Sequence, residues 1–183
     1  MFLQTDRIIL RQWEEKDLEP FAQLNADPRV MEYFPKLLTR EESDDIVRRL
    51  KGHIEKYGWG FWAASLISTG ELVGLIGMQH VGFNAPFTPA VEIGWRLAQK
   101  YWGQGYAPEG AIACLQYAFN TLELDQVVAF TFEGNLRSRR VMEKIGMHHN
   151  AKDDFNHPQV LPNHPLMRHV LYRIYQQEYL HGK

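Results

Sequence analysis

A glycine turn between a predicted strand and a predicted helix is the feature that most constrains this chain. It lies within the segment Leu97 to Gly110, where Gly103 and Gly105 allow the backbone to approach a ligand closely. Pro108 follows at a position suited to a first helical turn, because its missing N–H has no helical partner to lose there. The free N–H groups at a helix N-terminus bind anions. The segment therefore predicts an anion site, and pyrophosphate is its natural occupant.

Two other glycine-rich phosphate loops fit this segment less well. A P-loop requires Lys-Ser or Lys-Thr after its last glycine, whereas Tyr106 and Ala107 follow Gly105. The dinucleotide loop places a third glycine where this chain has Pro108, and the acidic residue about 20 positions further on, Asp125, precedes its strand. A nucleotide triphosphatase is not indicated, and the glycine pair alone does not identify the ligand.

The hydrophobic pattern predicts strands and helices that together form a mixed sheet flanked by helices. Thr39 and Glu42 form a capping-box pattern in front of an amphipathic helix, and Gly146 ends a later one. Val30 to Phe34 is expected to form a short element, and Asn150 to His164 a long loop. The predicted helices are Asp17 to Ala26, Arg40 to Tyr57, one starting near Pro108, and Leu136 to Ile145. The predicted strands are Ile8 to Arg11, Phe61 to Leu66, Leu72 to Val81, Val91 to Ala98, Gln126 to Phe132, and Met167 to Tyr175.

Size and charge describe one ordinary globular domain over residues 1–183. The formal net charge is −2 and the pI is about 6.4, so no one-signed field indicates a nucleic-acid or membrane partner. Cys114 is the only cysteine, which predicts a reducing compartment. The N-terminal residues lack a signal-peptide pattern, and no run reaches the roughly 20 apolar residues of a membrane span. These features predict a cytoplasmic protein.

Two sequence blocks resemble the GNAT acetyltransferase superfamily. The run from Trp102 to Ala107, Trp-Gly-Gln-Gly-Tyr-Ala, is similar to the family's Gln/Arg-x-x-Gly-x-Gly/Ala motif, with Trp102 as the departure. Such a tryptophan is familiar in the branch that resembles ribosomal-protein N-terminal (alanine/serine) acetyltransferases. The run from Asn135 to Met147 is similar to that branch's Asn-x-x-Ser helix. The resemblance implies a single GNAT-type α+β domain with a central, mixed, largely antiparallel sheet flanked by helices.

The resemblance also implies acetyl-CoA as the cosubstrate of an N-acetyltransferase that needs no metal. The Leu97 N–H would donate to the thioester oxygen as an oxyanion donor, and Asn135 would bind the pantetheine amides. Ser138 would lie near the sulfur. Asn135 could instead be only a helix N-cap, and Ser138 only a helix surface residue. The implied cofactor-binding residues are Leu97, Ala98, Trp102, Gly103, Gln104, Gly105, Tyr106, Ala107, Asn135 and Ser138.

The general acid and the general base of this chain are left open by its residues. Many GNAT enzymes carry a tyrosine general acid seven positions after the asparagine, but this chain has Met142 there, which cannot donate a proton. Ser138 or a water is the candidate replacement, or the thiolate leaves without an acid. Glu92 is the first candidate for the base that deprotonates the amine. Its alternative role is to satisfy a neighbouring strand or an ion pair.

The chemical class of the acetyl acceptor is left open between two alternatives. A protein N-terminus follows from the resemblance, and a small amine fits equally. Tyr33 or Phe34 is expected to touch the acceptor, although such aromatic residues more often lie in the core. The rival function is a non-catalytic acyl-CoA-binding regulatory module. A homodimer is a further expectation from the resemblance. The histidines after Gly146 have no metal-ligand spacing, which favours solvated or hydrogen-bonded side chains over a metal site.

Overall fold

The computed structural model describes residues 2–181, which form two compact units. Within the described residues, the first unit comprises residues 2–78 and 94–113, and the second comprises residues 79–93 and 114–181.

The first unit is built on the N-terminal strands of the sheet. Strands β1 to β4 pair in sequence order, each antiparallel to the next, and β5 follows β4 in the strand order. The Ala98 N–H donates to the Val73 carbonyl at 3.0 Å. The elements are β1 (Leu3–Gln4), β2 (Ile8–Arg11), α1 (Leu18–Asn25), α2 (Arg40–Tyr57), β3 (Phe61–Leu66), β4 (Leu72–His80), β5 (Val91–Leu97) and α3 (Tyr106–Asn120).

Helix α2 shows how local sequence sets an element of this unit. It begins after Thr39, whose side chain accepts from the Glu42 N–H, and the Glu42 side chain caps the Thr39 N–H in return. Its buried face includes Val47, Leu50 and Ile54, which recur at helical spacing. The predicted capping box and both helix ends are confirmed.

The second unit contains the first residues of β5 and the strands that follow β5 in the sequence. Strand β6 pairs with β5 in parallel, and β9 pairs antiparallel with β6 along its length. The short strands β7 and β8 also pair antiparallel with β9. The elements are β6 (Gln126–Phe132), α4 (Leu136–Lys144), β7 (His148–His149), β8 (Phe155–Asn156), β9 (Arg168–Tyr175) and α5 (Gln176–His181).

The predicted fold class is confirmed, with differences in the small elements. The sheet is mixed and largely antiparallel, with helices packed beside it, as expected for this fold. Val30 to Phe34 forms turns rather than the expected short element, because backbone bonds such as Phe34 N–H to Met31 O close on near neighbours. The sequence patterns also missed β1, β7, β8 and α5, all of which are too short to show a period. No helix among residues 2–181 is long and apolar enough to cross a bilayer.

Candidate active site

The turn after β5 has the backbone conformation that its glycines were expected to supply. Gly103 has φ of 73° and Gly105 has φ of 86°, a region that residues with a side chain rarely adopt. A methyl group at Gly103 would meet no heavy atom within 4 Å, so the backbone there is open to a ligand. Helix α3 then begins at Tyr106, and the Glu109 N–H makes a helical bond to the Gly105 carbonyl. The positive φ favours glycine at both positions, and the predicted contact of this backbone with a ligand stays a prediction.

Two motif side chains hold this turn rather than face a ligand. The Trp102 Nε1–H donates to the Leu97 carbonyl at 2.9 Å, which ties the turn to the end of β5. The Gln104 Nε2–H donates to the Lys100 carbonyl at 2.7 Å. The tryptophan that departs from the family motif therefore has a structural use, and the amides around Gly103 and Gly105 remain the groups suited to bind an anion.

Arg7 and Glu109 form a brace that the sequence patterns did not reveal. The Arg7 Nε–H donates to Glu109 Oε2 at 2.7 Å, and the Arg7 Nη1–H donates to the Gln104 carbonyl at 2.9 Å. Thr5 donates a further hydrogen bond to Glu109, and the guanidinium carbon of Arg7 lies 4.5 Å from the centre of the Tyr106 ring. The brace neutralises the carboxylate in the first turn of α3. An unpaired Glu109 would oppose a second anion there.

These observations fit a bound pyrophosphate. The first turn of α3 offers backbone N–H groups at the positive end of the helix, its acidic side chain is paired, and Gly103 leaves the approach open. The residues that would hold the pyrophosphate are Gly103, Gln104, Gly105, Tyr106 and Ala107, through their backbone amides.

Leu97 ends strand β5, and Ala98 follows it beside a cavity of the first unit. Leu97 is buried, and its carbonyl is occupied by Trp102. Ala98 lies on the wall of a cavity of about 350 Å³. The other residues that line it are Pro20, Gln23, Leu24, Asp27, Arg29, Val30, Leu72, Gln99 and Lys100.

In the second unit, Glu92 is a partly buried carboxyl group with a neutral partner. The Gln79 Nε2–H donates to its Oε1 at 2.7 Å. Burial raises the pKa of Glu92 to about 7, although the Gln79 hydrogen bond opposes this shift. A carboxyl group with such a pKa exchanges protons near neutral pH, as a general base must. The expectation that Glu92 satisfies a strand neighbour also holds, through Gln79 on the adjacent strand.

Asn135 and Ser138 lie at the start of α4 in the same unit. The Asn135 Oδ1 accepts from the Ser138 N–H at 3.2 Å, and its Nδ2–H donates to the Thr131 hydroxyl at 2.9 Å. Asn135 is therefore the N-cap of α4, which is the structural role that the sequence offered as its alternative. Its binding of the pantetheine amides stays a prediction. Within residues 2–181, the Ser138 hydroxyl makes no hydrogen bond to the protein.

Met142 and the histidines behave as structural residues. Met142 is 1% exposed and belongs to the core, so the position of the family's tyrosine acid is filled by a packing residue. His149 Nε2 lies 2.8 Å from Asp154 Oδ1, and His157 and His169 pack in an aromatic cluster with Phe155. Among residues 2–181, no three metal-binding side chains lie close enough together to hold an ion.

Arg96 is a second feature that the sequence patterns missed. It lies next to Leu97 on β5, and its Nη1–H donates to the Asn25 Oδ1 at 2.7 Å. The guanidinium carbon lies 4.1 Å from the centre of the Phe34 ring. Asn25 is itself buried and donates to the Ser43 hydroxyl at 2.9 Å. Phe34, named with Tyr33 as a candidate acceptor contact, is 37% exposed.

Comparison with known proteins identifies the family of this chain. Residues 7–148 match the family model described as the Acetyltransferase (GNAT) domain. The chain belongs to the GNAT acetyltransferase family. It resembles a GNAT-family acetyltransferase structure from Bacillus anthracis with a TM-score of 0.81 and 30% identity, covering 97% of this chain and 100% of that one.

Two further relatives share most of the length of this GNAT chain. The uncharacterized protein YkkB of Bacillus subtilis is 38% identical over 81% of this chain and 86% of its own. The FsC-acetyl coenzyme A-N(2)-transacetylase of Aspergillus fumigatus is 32% identical over 97% of this chain and 77% of its own. The GNAT protein is an acetyl-CoA-dependent N-acetyltransferase, and acetyl-CoA is its cosubstrate. The predicted family, reaction and cosubstrate are confirmed.

Proposed function

We propose that this acetyltransferase moves the acetyl group to a primary amine by direct attack in a ternary complex. Glu92 carries the proposal, because a carboxyl group with a pKa of about 7 and a neutral amide as its hydrogen-bond partner can accept the proton that the amine loses. A base is needed since the amine is mostly protonated at neutral pH and only its neutral form attacks. No covalent acyl-enzyme is required.

The remaining steps are assigned to one backbone amide and one hydroxyl. Acetyl-CoA supplies the thioester, whose C–S bond breaks as the C–N bond forms. The Leu97 N–H donates to the oxygen that becomes negative during the attack. The Ser138 hydroxyl, which has no partner among residues 2–181, gives a proton to the leaving sulfur and regains one from water.

The acceptor belongs to one of two classes, a small-molecule amine or a protein N-terminus. The name of the Aspergillus fumigatus relative, FsC-acetyl coenzyme A-N(2)-transacetylase, contains the numbered nitrogen N(2), a label typical of small molecules, which supports the first class. The resemblance to the ribosomal-protein branch supports the second. Both present a primary amine to the same base.

The test is acetyl transfer by the purified chain across a panel of small amines and short peptides. Release of the CoA thiol together with a mass increase of the acceptor by one acetyl group is expected. A Ser138→Ala enzyme should turn over about tenfold more slowly, with Ser68→Ala, in an exposed turn, as its control. Undiminished turnover of Ser138→Ala would remove the serine from the mechanism. Acetyl-CoA binding without thiol release on any acceptor would favour the binding-module function instead.

A further inference from the structure

Arg96 is a partly buried cation that lacks an anionic partner among residues 2–181. Its Nε is buried and has no hydrogen-bond partner, and within residues 2–181 the side chain forms no ion pair. Its polar contact, Asn25, is neutral, and so is Ser43 behind it. Burial lowers the pKa of Arg96 to about 10, so the group still carries its charge at neutral pH. Burying an unpaired charge is costly, and an incoming anion offsets that cost.

The contacts of Arg96 leave one particular edge of the guanidinium unused. Phe34 covers one face of the group, and Asn25 takes the Nη1 side. On the remaining edge, Nε–H is enclosed and has no hydrogen-bond partner, and Nη2–H makes no hydrogen bond to residues 2–181. Two parallel N–H groups along one edge of an arginine match the two oxygens of a carboxylate in a bidentate pair.

We propose that Arg96 binds a carboxylate on the acceptor, so that the preferred substrates are amines that also carry a carboxylate. Asn25 and Phe34 fix the plane of the guanidinium, and the N–H groups of its remaining edge donate to the carboxylate oxygens. This proposal rests on the proposed function, because Arg96 immediately precedes Leu97, the residue assigned to the thioester oxygen. An acceptor whose amine attacks there can therefore place a second group on Arg96.

The experiment compares acceptors that differ only in the carboxylate. Amino acids of the form amine–(CH2)n–carboxylate, with n from one to five, are assayed beside their carboxamides in the unmodified enzyme and in Arg96→Gln. The quantity measured is the kcat/KM ratio of acid to amide at each length. The acid-to-amide ratio of the unmodified enzyme is then divided by that of Arg96→Gln. This division cancels the difference in amine basicity between acid and amide, because both enzymes use the same acceptors.

The expected result is a preference for the acid at one or two chain lengths that Arg96→Gln reduces by about 10- to 100-fold, the range of a charge-assisted hydrogen-bonded pair. Arg96→Lys, which keeps a charge without the planar edge, should retain only part of the preference. Arg48→Gln, an exposed arginine on α2, is the matched control and should leave the ratio unchanged. Peptides with aspartate or asparagine after the N-terminal residue test whether the carboxylate can come from a peptide.

Three outcomes overturn the proposal. One is an equal loss on acids and amides in Arg96→Gln, which would make Arg96 a purely structural residue. The second is an Arg96-dependent preference for phosphoethanolamine over every carboxylate. The third is a weakened affinity of Arg96→Gln for CoA alone in calorimetry, which would assign the charge to the cosubstrate. Absence of transfer to any amine would instead contradict the proposed function, so the two failures are distinguishable.

Discussion

Glu92 and Arg96 are two ionisable residues of strand β5, and they differ in their charge state at neutral pH. Glu92 has a neutral hydrogen-bond partner, and its pKa rises to about 7 because burial disfavours the carboxylate. Arg96 keeps its charge because its ordinary pKa lies so far above neutrality that burial lowers it only to about 10. At neutral pH the first residue is poised to exchange a proton, and the second remains a fixed cation.

Replacing Glu92 with glutamine should change the pH dependence of the rate. A base works only when ionised, so the rate of the unmodified enzyme should rise with pH through about 7, the pKa of Glu92. Glu92→Gln should be slower by about 100-fold near neutral pH, and the deficit should shrink towards pH 10, where the free amine needs no base. The measurement is a kcat profile from pH 6 to 10.

Two controls accompany the Glu92 profile. Glu133→Gln, an exposed residue after β6, should reproduce the unmodified profile. Glu92→Gln should also unfold at higher denaturant concentration than the unmodified protein at pH 8, because the native state no longer buries an ionised carboxylate there. A deficit that is the same at every pH would contradict the role of base.

At the scale of elements, helix α2 has glycine at two positions with different backbone requirements. Gly52 is an exposed residue in the helix interior, and a methyl group there would meet no heavy atom of other elements within 4 Å. Gly58 caps the C-terminus with φ of 79° and donates to the Ile54 carbonyl at 2.8 Å. Only the second position requires the left-handed backbone that glycine supplies.

Alanine should therefore have opposite effects at these two glycines. Gly52→Ala should stabilise the chain by about 0.5–1 kcal/mol, because glycine in a helix interior loses more backbone entropy on folding. Gly58→Ala should destabilise it by about 1 kcal/mol through left-handed strain. Urea unfolding at constant pH measures both free energies, and changes of the same sign would show that the helix end is not held as described.

At the scale of the whole molecule, stability should depend on the aromatic cluster around His169. The His169 ring packs against His157, Phe155 and Phe130, with centroid distances of 4.8, 5.8 and 6.4 Å. The pKa of His169 is lowered to about 4, mainly by burial, with the Met167 carbonyl opposing the shift and the nearby His157 adding to it. The unfolded chain takes up this proton below its ordinary pKa of about 6.5, whereas the native state does so only near pH 4.

Stability is therefore lost as pH falls from 6.5 to 4, and His169→Phe should reduce that loss. The reduction should be on the order of 2 kcal/mol, because the ring is only partly buried and solvent screens part of the shift. Denaturant unfolding of the two proteins at pH 7.0 and pH 4.5 tests this expectation. If both proteins lost the same free energy of unfolding between pH 7.0 and pH 4.5, His169 would be protonated in the native state across this range.

The sequence determined the features that neighbouring residues specify. The capping box of Thr39 and Glu42 set the start of α2, and the alternation of polar and apolar residues located the main strands. The glycine turn was visible from the place of Gly103 and Gly105 between a predicted strand and a predicted helix. Such features rest on contacts within a few residues, so their pattern is visible in the chain itself.

The tertiary structure decided which side chains meet across long stretches of sequence. Arg7 pairs with Glu109, 102 positions away, and Arg96 meets Asn25, 71 positions away. The burial that raises the pKa of Glu92 and leaves Arg96 without a carboxylate is set by packing, which no local pattern encodes. The sequence therefore predicted the glycine turn and the family, while the fold alone set the charge state of Glu92 and the hydrogen bonds of Arg96.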